Sequence, residues 1–371
     1  MTDDERLRER QNLREKRKKK KKTKKKLTVI LAVILVVVIA LVGGGYGVFN
    51  HYFSMLNNGT DIENIDPDSD EFYEEDDNGN YEEFEGLDEE IRKNLLNMGA
   101  NSDLYSTDAF NIMLLGVDSR GENFSGRSDA MILFSINKNT KKVTMTSFLR
   151  DIYASIPGYG NTRLNAAYAY GGMNLMKEAF KSNFGITIDR CVVVNFKLVA
   201  DFVDAVGGVD LDLSAAEIKV MNNYIKSHNT LWGYPSGTDI ISESSAGTFH
   251  ANGNQALAYA RVRYVGTDFA RTGRQRTIIN KCFEKVKTMN FKQISDLVET
   301  FLPKVRTDLT QGDVAALLLQ LPSAPNYEIQ TMVVPADGTY QFVTVRGMSV
   351  ISIDFAANSQ MWHELVEDDS E

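Results

Sequence analysis

Two short segments of this 371-residue chain concentrate arginine and aspartate. The first runs from Asp118-Ser-Arg120 through Gly126-Arg127-Ser-Asp129 to Arg150-Asp151. The second, residues 261–276, carries five arginines and Asp268 within sixteen positions. Arginine stays charged at any accessible pH, and its planar guanidinium can contact two phosphate oxygens at once. A surface ion pair would explain any single arginine, but so many of them with interleaved aspartates predict a local anion site.

The charge balance of the chain argues against a nucleic-acid partner. Residues 1–26 hold 14 bases and five acids, and residues 27–91 hold 16 acids and no base. The remaining residues, 92–371, are nearly balanced, with 27 bases and 29 acids. A domain that binds nucleic acid is more often basic overall. We therefore expect a confined anion site rather than a long basic surface.

Asp118 and Asp129 form a candidate metal site. Asp118 ends the apolar run 110–117, and Asp129 precedes the apolar run 130–136. If these runs are neighbouring strands, both carboxylates emerge near one edge, where ligands bind in open α/β sheets. Two hard oxygen ligands suit Mg²⁺, which bridges to substrate phosphates. Together with the flanking arginines they predict a phosphoryl or pyrophosphoryl site.

Other catalytic signatures are absent from the sequence. It contains no Gly-x-x-x-x-Gly-Lys-Ser/Thr, His-Glu-x-x-His, Cys-x-x-Cys or Gly-x-Ser-x-Gly motif, which disfavours nucleotide hydrolysis, a zinc site and a serine triad. The four histidines are isolated, and we expect His51 and His228 in linker or loop. Cys191 and Cys282 are either two buried free thiols or a single bridge.

Strands and helices in alternation must position these residues. Apolar runs and alternating patterns predict strands at 110–117, 130–136, 142–149, 191–196, 209–213, 329–334 and 350–354. Apolar residues at helical spacing predict helices at 175–184, 196–206 and 274–289. The second of these should end at Gly207-Gly208, because glycine permits positive φ. The pattern indicates a layered α/β domain.

The N-terminal part differs from the rest in composition. The run of like charges in residues 1–26 predicts a disordered basic tail, which we expect on the cytoplasmic side. Residues 27–49 are uncharged and long enough for one transmembrane helix, an uncleaved signal anchor. The alternative is a cleaved signal peptide, whose apolar region is usually shorter. Residues 50–100 are acidic and predict a disordered stalk, which would hold a catalytic domain at 101–371 outside the cell.

Several motifs in sequence resemble the LytR-CpsA-Psr family. They occur in the family's order within about residues 110–290: Asp118-Ser-Arg120, Gly126-Arg-Ser-Asp129, Phe148-Leu-Arg150-Asp151, Arg163-Leu-Asn-Ala-Ala-Tyr-Ala-Tyr-Gly-Gly172, Gly253-Asn-Gln-Ala-Leu-Ala-Tyr-Ala-Arg261-Val-Arg263 and Arg271-x-x-Arg-Gln-Arg276. The basic tail, single span and outer domain also resemble the family. The resemblance implies a three-layer α-β-α domain with a mixed central sheet, preceded by one transmembrane helix.

The resemblance further implies a membrane-anchored phosphotransferase of a Gram-positive type envelope. The donor would be an undecaprenyl-pyrophosphate-linked glycopolymer of teichoic acid or capsule type, and the acceptor a peptidoglycan sugar. Asp118 and Asp129 would hold Mg²⁺. The pyrophosphate would be bound by Arg120, Arg127, Arg150, Arg163, Arg261, Arg263, Arg271, Arg274, Gln275 and Arg276. The polyprenyl tail would occupy a pocket lined by Phe196, Val199, Phe202, Val203 and Val206.

Four residues are candidates for catalysis: Arg127, Arg150, Asp151 and Asp268. Asp151 either orients or deprotonates the acceptor, or it only holds Arg150 in place. Asn195 departs from the family pattern, in which an aspartate is frequent at this position. The residues also leave two other functions open. One is hydrolysis of a lipid pyrophosphate by water, and the other is non-catalytic binding of an envelope polymer, which the two candidate metal carboxylates disfavour.

Overall fold

The computed structural model describes residues 86–100, 107–117, 119, 124–262, 268–286, 288–320 and 327–367. The expected tail at 1–26 and the expected span at 27–49 lie outside these ranges. Across the described ranges, none of the helices has both the length and the apolar character that a membrane crossing requires.

The described residues form twelve strands, seven of them where the sequence predicts a strand. They are β1 (Phe110–Val117), β2 (Ser128–Asn137), β3 (Lys142–Phe148), β4 (Tyr153–Ile156), β5 (Gly160–Arg163), β6 (Arg190–Asn195), β7 (Val209–Leu213), β8 (Gly247–Ala251), β9 (Arg306–Thr307), β10 (Glu328–Val334), β11 (Tyr340–Val345) and β12 (Met348–Ile353). The seven predicted strands are confirmed, with ends that differ by at most two residues. The central sheet has the order β10-β3-β2-β1-β6-β9. It is mixed, because β1 pairs parallel with β6 and β3 with β10, while the other neighbours are antiparallel.

The helices are α1 (Leu87–Ala100), α2 (Ala166–Phe184), α3 (Phe196–Ala205), α4 (Ala215–Trp232), α5 (Gly253–Arg261), α6 (Asp268–Val286), α7 (Phe291–Phe301), α8 (Gln311–Gln320) and α9 (Phe355–Glu367). Helix α3 is confirmed, and Gly207 and Gly208 follow it at φ values of 85° and 74°. The helix predicted at 274–289 begins six residues earlier, at Asp268. The helix predicted at 175–184 is the second part of α2, which bends at Gly171 and Gly172.

Helix α1 corrects the expected boundary between stalk and domain. Acidic composition predicts a disordered stalk through residue 100, but residues 87–100 form a helix. Leu87 and Ile91 are buried in the domain core, and Asp88 Oδ1 accepts hydrogen bonds from Tyr153 Oη at 2.7 Å and Asn161 Nδ2 at 3.0 Å. Composition alone does not reveal this helix, because its few apolar residues are interspersed with acidic ones. Their helical spacing is what places them on one buried face.

The two faces of the central sheet belong to different cores. Successive side chains alternate along a strand, so Met113 and Leu115 of β1 face one core and Ile112 the other. Helices α1, α2 and α9 cover the first face, which we call the α2 face, and helices α3–α8 cover the second, the α6 face. The fold is thus three-layered, as expected. Cys191 and Cys282 are free and buried on opposite faces, so the sheet separates them.

Candidate functional site

The carboxyl ends of β1, β3 and β6 meet at one end of the sheet, because these strands run in the same direction. Ligands of α/β sheets bind outside such ends. Arg150 and Asp151 follow β3 directly. Backbone hydrogen bonds to β10 and β12 fix this segment. The N–H of Leu149 donates to the carbonyl of Val334 at 2.9 Å, and the carbonyl of Asp151 accepts from the N–H of Ile351 at 2.8 Å.

An ion-pair cluster joins two aspartates to two arginines at this end of the sheet. Arg150 Nη1 donates to Asp129 Oδ1 at 2.8 Å, and Arg150 Nε donates to Asp151 Oδ2 at 3.3 Å. Arg163 Nε lies 3.3 Å from the other oxygen of Asp151. Asp151 therefore bridges Arg150 and Arg163, and this geometry supports its holding role over direct action on an acceptor.

Arg127 belongs to the same cluster electrostatically. Burial lowers the pKa of its guanidinium, and the nearby charges of Arg163 and Arg150 act in the same direction, whereas Asp129 and Tyr170 act against them. Three guanidinium groups are thus close enough to repel one another in a half-buried setting. An anion bound among them would relieve this repulsion.

A largely apolar pocket lies beside the cluster, on the α6 face. Its empty volume is about 740 Å³, a figure that includes the open solvent at its mouth. The apolar lining comes from the sheet and from α3, α5 and α6: Leu114, Gly116, Ala130, Ile132, Val194, Phe196, Val199, Leu257, Ala260, Ile278 and Ile279. The polar lining consists of Asp129, Arg261, Arg271 and Gln275. The two arginine-rich segments of the sequence therefore meet here, joined through Asp129.

Small residues on the sheet leave room for the pocket. Gly116 and Ala130 are partners in the β1–β2 register, and a Cβ atom on Gly116 would lie only 3.0 Å from the Cβ of Ala130. On the helix side, Arg271, Gln275 and Ile278 follow one another at spacings of four and three, so they share one face of α6. Charged and apolar lining thus comes from a single helix face.

Arg261 and Arg271 hold their charges in apolar surroundings. The Arg261 guanidinium lies over the rings of Phe196, 4.6 Å from the centroid, and Tyr224, at 5.2 Å. Its Nη1 is 3.2 Å from His228 Nε2. Arg271 is only 2% exposed. Attraction between such a cation and an anionic ligand is stronger than in bulk water, because the low dielectric screens it less.

Two of the predicted pyrophosphate ligands are engaged elsewhere. Arg274 Nε donates to Glu217 Oε1 at 3.0 Å, and its Nη1 donates to the carbonyl of Val262 at 3.1 Å. Arg276 Nη1 donates to Ser147 Oγ at 3.0 Å. Neither arginine lines the pocket. Their contacts brace α6 against α4 and β3 instead.

The predicted lipid-pocket residues divide into two groups. Phe196 and Val199, in the first turn of α3, line the pocket. Phe202, Val203 and Val206 do not: the two valines are buried in the hydrophobic core, and Phe202 packs on Phe301 with ring centroids 5.3 Å apart. Later turns of an amphipathic helix with this spacing serve the core as readily as a ligand, so the sequence could not separate the two groups.

The structure does not describe every predicted residue. Asp118, Arg120 and Arg263 lie outside the described ranges, and Asp268 is the first residue of α6. Asn195, which departs from the family pattern, begins α3: its Oδ1 accepts a hydrogen bond from the Leu198 N–H at 2.8 Å. An N-cap of this kind stabilises the start of a helix.

Sequence reasoning missed part of the site. His228, expected in a linker or loop, lies in α4 and is 1% exposed. Its ring stacks on Trp232, one helical turn further on, but its hydrogen-bond partners are remote along the chain, so the local sequence does not connect it to the site. Ile278 and Ile279 could have been found, because they follow Arg271 at i+7 and i+8. That spacing becomes visible only when the helix is started at Asp268.

The fold and the site together define a three-layer α/β domain whose pocket joins an apolar lining to arginine and aspartate side chains. The chain belongs to the LytR_cpsA_psr family, whose model matches residues 72–367.

Named relatives carry more than one description. The chain is 31% identical over 227 residues to the polyisoprenyl-teichoic acid–peptidoglycan teichoic acid transferase TagU of Enterococcus faecalis, which covers 60% of this chain and 68% of that protein. It is also 31% identical over 261 residues to biofilm regulatory protein A of Streptococcus mutans, covering 63% of this chain and 60% of that protein. Part of each relative therefore lies beyond the aligned region.

A solved structure has the same fold. It is the family protein YwtF (TagT) of Bacillus subtilis with bound octaprenyl pyrophosphate lipid. The TM-score is 0.50 and the sequence identity is 23%, and the superposition covers 71% of this chain and 91% of that one.

Proposed function

We propose that this chain is a membrane-anchored phosphotransferase that moves an undecaprenyl-pyrophosphate-linked anionic glycopolymer to a peptidoglycan sugar. The observation that carries the proposal is the pocket, in which an apolar lining continues into Arg261, Arg271, Gln275 and Asp129. A polyprenyl pyrophosphate has the same two-part chemistry, an apolar tail and a doubly phosphorylated head. The name of the TagU relative and the lipid in the TagT structure support the same choice.

In the proposed reaction, the acceptor hydroxyl oxygen attacks the phosphorus that carries the polymer, and a new O–P bond forms. The bond from this phosphorus to the bridging oxygen breaks, the lipid leaves as polyprenyl monophosphate, and the hydroxyl proton passes to solvent. Charge builds up on the phosphate oxygens. Arg127, Arg150 and Arg163 on one side and Arg261 and Arg271 on the other would stabilise it, because fixed donors need no reorganisation during reaction.

We also propose that Asp129, together with Asp118, contributes to a Mg²⁺ site. Asp129 fits this role, because it lines the pocket and a carboxylate that accepts from Arg150 still has lone-pair sites for a cation. Among the described residues, no group of three or more acids, histidines or cysteines could hold a metal by itself. Mg²⁺ often binds one or two carboxylates plus substrate phosphates. The ion would offset negative charge on the phosphate oxygens.

The binding test uses the full chain in detergent with two probes, octaprenyl pyrophosphate and inorganic pyrophosphate. Arg271→Ala should weaken both at least tenfold, because a charge-assisted hydrogen bond contributes about 1.5–3 kcal/mol. Ala130→Leu should weaken only the lipid probe, because it fills the pocket. The control is Arg92→Ala, which removes an exposed arginine paired with Glu89 in α1.

Three outcomes would count against these assignments. If Arg271→Ala and the isosteric Gln275→Glu both bound the two probes with wild-type affinity, this pocket would be excluded as the pyrophosphate site. Chelation of Mg²⁺ should weaken binding of inorganic pyrophosphate by the wild type and not by Asp129→Asn; equal weakening would remove Asp129 from the metal site. Release of polymer to water, with none joined to added peptidoglycan, would favour a pyrophosphatase.

The proposal places residues 27–49 in the membrane and the domain outside, where peptidoglycan lies. The uncharged segment behind a lysine-rich tail motivates this topology. Protease added to intact protoplasts should leave only a small membrane-held N-terminal fragment. Complete protection of the domain would exclude this topology.

A further inference from the structure

His228 connects the pocket to a buried chain of polar side chains. On one side, its Nε2 lies 3.2 Å from Arg261 Nη1. On the other, its Nδ1 lies 2.8 Å from Asn254 Oδ1. Asn254 Nδ2 in turn donates to Asp239 Oδ2 at 3.1 Å and to Asn229 Oδ1 at 3.0 Å. His228, Asn229 and Asn254 are all buried, so every one of these groups depends on its neighbours for hydrogen bonds.

The direction of each hydrogen bond follows from Asp239. An ionised carboxylate only accepts, so the nitrogen of the Asn254 amide must face Asp239 and its oxygen must face His228. That oxygen can only accept, and His228 therefore carries its proton on Nδ1. The lone pair of Nε2 then points to Arg261 and accepts from its N–H. One carboxylate thus determines the tautomer of a histidine two hydrogen bonds away.

The loop around Asp239 is itself fixed. Asp239 adopts a φ of 62°, a left-handed conformation that aspartate tolerates better than most residues. Its Oδ1 accepts from Asn252 Nδ2 at 2.6 Å, and its backbone carbonyl accepts from Gln255 Nε2 at 2.9 Å. Asn252 is the N-cap of α5, the helix that ends at Arg261. The same loop therefore anchors both the start of this helix and the partner of the arginine at its end.

His228 differs in its charge from the partners of Arg150 and Arg163. Arg150 and Arg163 are bound by the carboxylates of Asp129 and Asp151. Burial lowers the pKa of His228 to about 4, so the imidazole is neutral at physiological pH. A neutral acceptor orients a guanidinium without offsetting its charge, whereas a carboxylate does both.

We propose that His228 is a positioning residue, whose neutral Nδ1–H form orients Arg261 at the pocket without placing a negative charge of its own beside the lipid diphosphate. This inference rests on the proposed function, because it assumes that Arg261 meets a pyrophosphate. It predicts that the charge of the residue at position 228, and not only its ability to accept a hydrogen bond, controls ligand affinity.

Two nearly isosteric variants, His228→Gln and His228→Glu, separate these properties in the full chain. Gln keeps a neutral oxygen acceptor, and octaprenyl pyrophosphate should bind within about threefold of the wild type. Glu accepts from Arg261 at least as well, but it offsets the positive charge, so affinity should fall roughly tenfold or more. Glu cannot replace the Nδ1–H that donates to Asn254, so a merely structural role would lower binding and thermal stability together, whereas loss of positive charge at the site lowers binding in a variant that remains folded. The matched control is His250→Gln, which changes an exposed histidine paired with Asp210.

Arg261→Ala distinguishes failure of this inference from failure of the proposed function. Wild-type affinity in Arg261→Ala would remove this arginine from the pyrophosphate site, and the role of His228 would fall with it. Weak binding by Arg261→Ala with equal binding by His228→Gln and His228→Glu would overturn the positioning role alone. Support requires weak binding by His228→Glu that is not additive with Arg261→Ala, with thermal unfolding to check that each variant folds.

Discussion

The two faces of the central sheet differ in how side chains fill the space between the sheet and its helices. On the α2 face, aromatic rings fill the space between sheet and helices: Phe148 contacts Phe180 and Phe184 at centroid distances of 4.7 and 5.2 Å, and Phe184 contacts Phe355 at 4.9 Å. On the α6 face, the same strands border an open pocket. One face therefore supplies packing for the fold, and the other supplies space for a ligand.

The difference begins with alternate residues of single strands. Met113 and Leu115 of β1 point into the filled core, while Leu114 and Gly116 line the pocket. Unfilled apolar space forfeits dispersion contacts that a close-packed interior would have. A lipid tail in the pocket would regain these contacts, and they would contribute to the free energy of binding.

Matched phenylalanine truncations would sharpen this comparison most. Phe180→Ala removes a fully buried ring from the α2 face, and it should lower the free energy of unfolding by about 3–5 kcal/mol. Phe196→Ala removes a ring that already borders open space, and the expected loss is about 1 kcal/mol, mainly from its cation–π contact with Arg261. Urea unfolding of both variants measures the difference. Equal losses would mean that the α6 face is closed in solution.

The α6 face should also make the fold sensitive to acid through His228. Burial lowers its pKa from the ordinary 6.5 to about 4. Below pH 6.5 the unfolded chain therefore takes up a proton before the folded protein does. Stability should fall as the pH drops from 6.5 to 4, by about 3 kcal/mol from this group.

The variant His228→Gln isolates the contribution of the histidine, because it lacks the titrating group and leaves the carboxylates of the protein unchanged. Chemical unfolding of both proteins at several values between pH 7 and pH 4 gives the comparison. Identical pH profiles would show that His228 is accessible to protons in the folded protein, contrary to its burial.

Much of the fold could be predicted from local patterns. Seven of the twelve described strands were predicted to within two residues, because apolar runs and alternating patterns mark strands that pack against a core. The helix starts at Leu87 and Asp268 were not predicted. In both places charged residues dominate the composition, and the helix is selected by burial of a few apolar side chains that only the folded domain provides.

The candidate site was predictable in its chemistry and less so in its membership. Asp129, Arg261 and Arg271 were selected by residue type and Gln275 by the family resemblance, and the pocket brings all four together. Arg274 lies in the same run as Arg271 but faces Glu217. Which arginine faces the pocket depends on the exact start and rotation of α6, and a dense arginine run contains no signal for either.

The sequence by itself determined the elements and their charges: which runs form strands, which segments carry arginine, and which strand positions are small. Those properties are local, since each depends on residues a few positions apart. Only the tertiary structure decided that Gly116 and Ala130 leave a pocket beneath α6, and that Arg261 is held by a neutral histidine. These properties depend on contacts between residues that can lie more than a hundred positions apart. The type of a side chain does not indicate which of the distant residues it will contact.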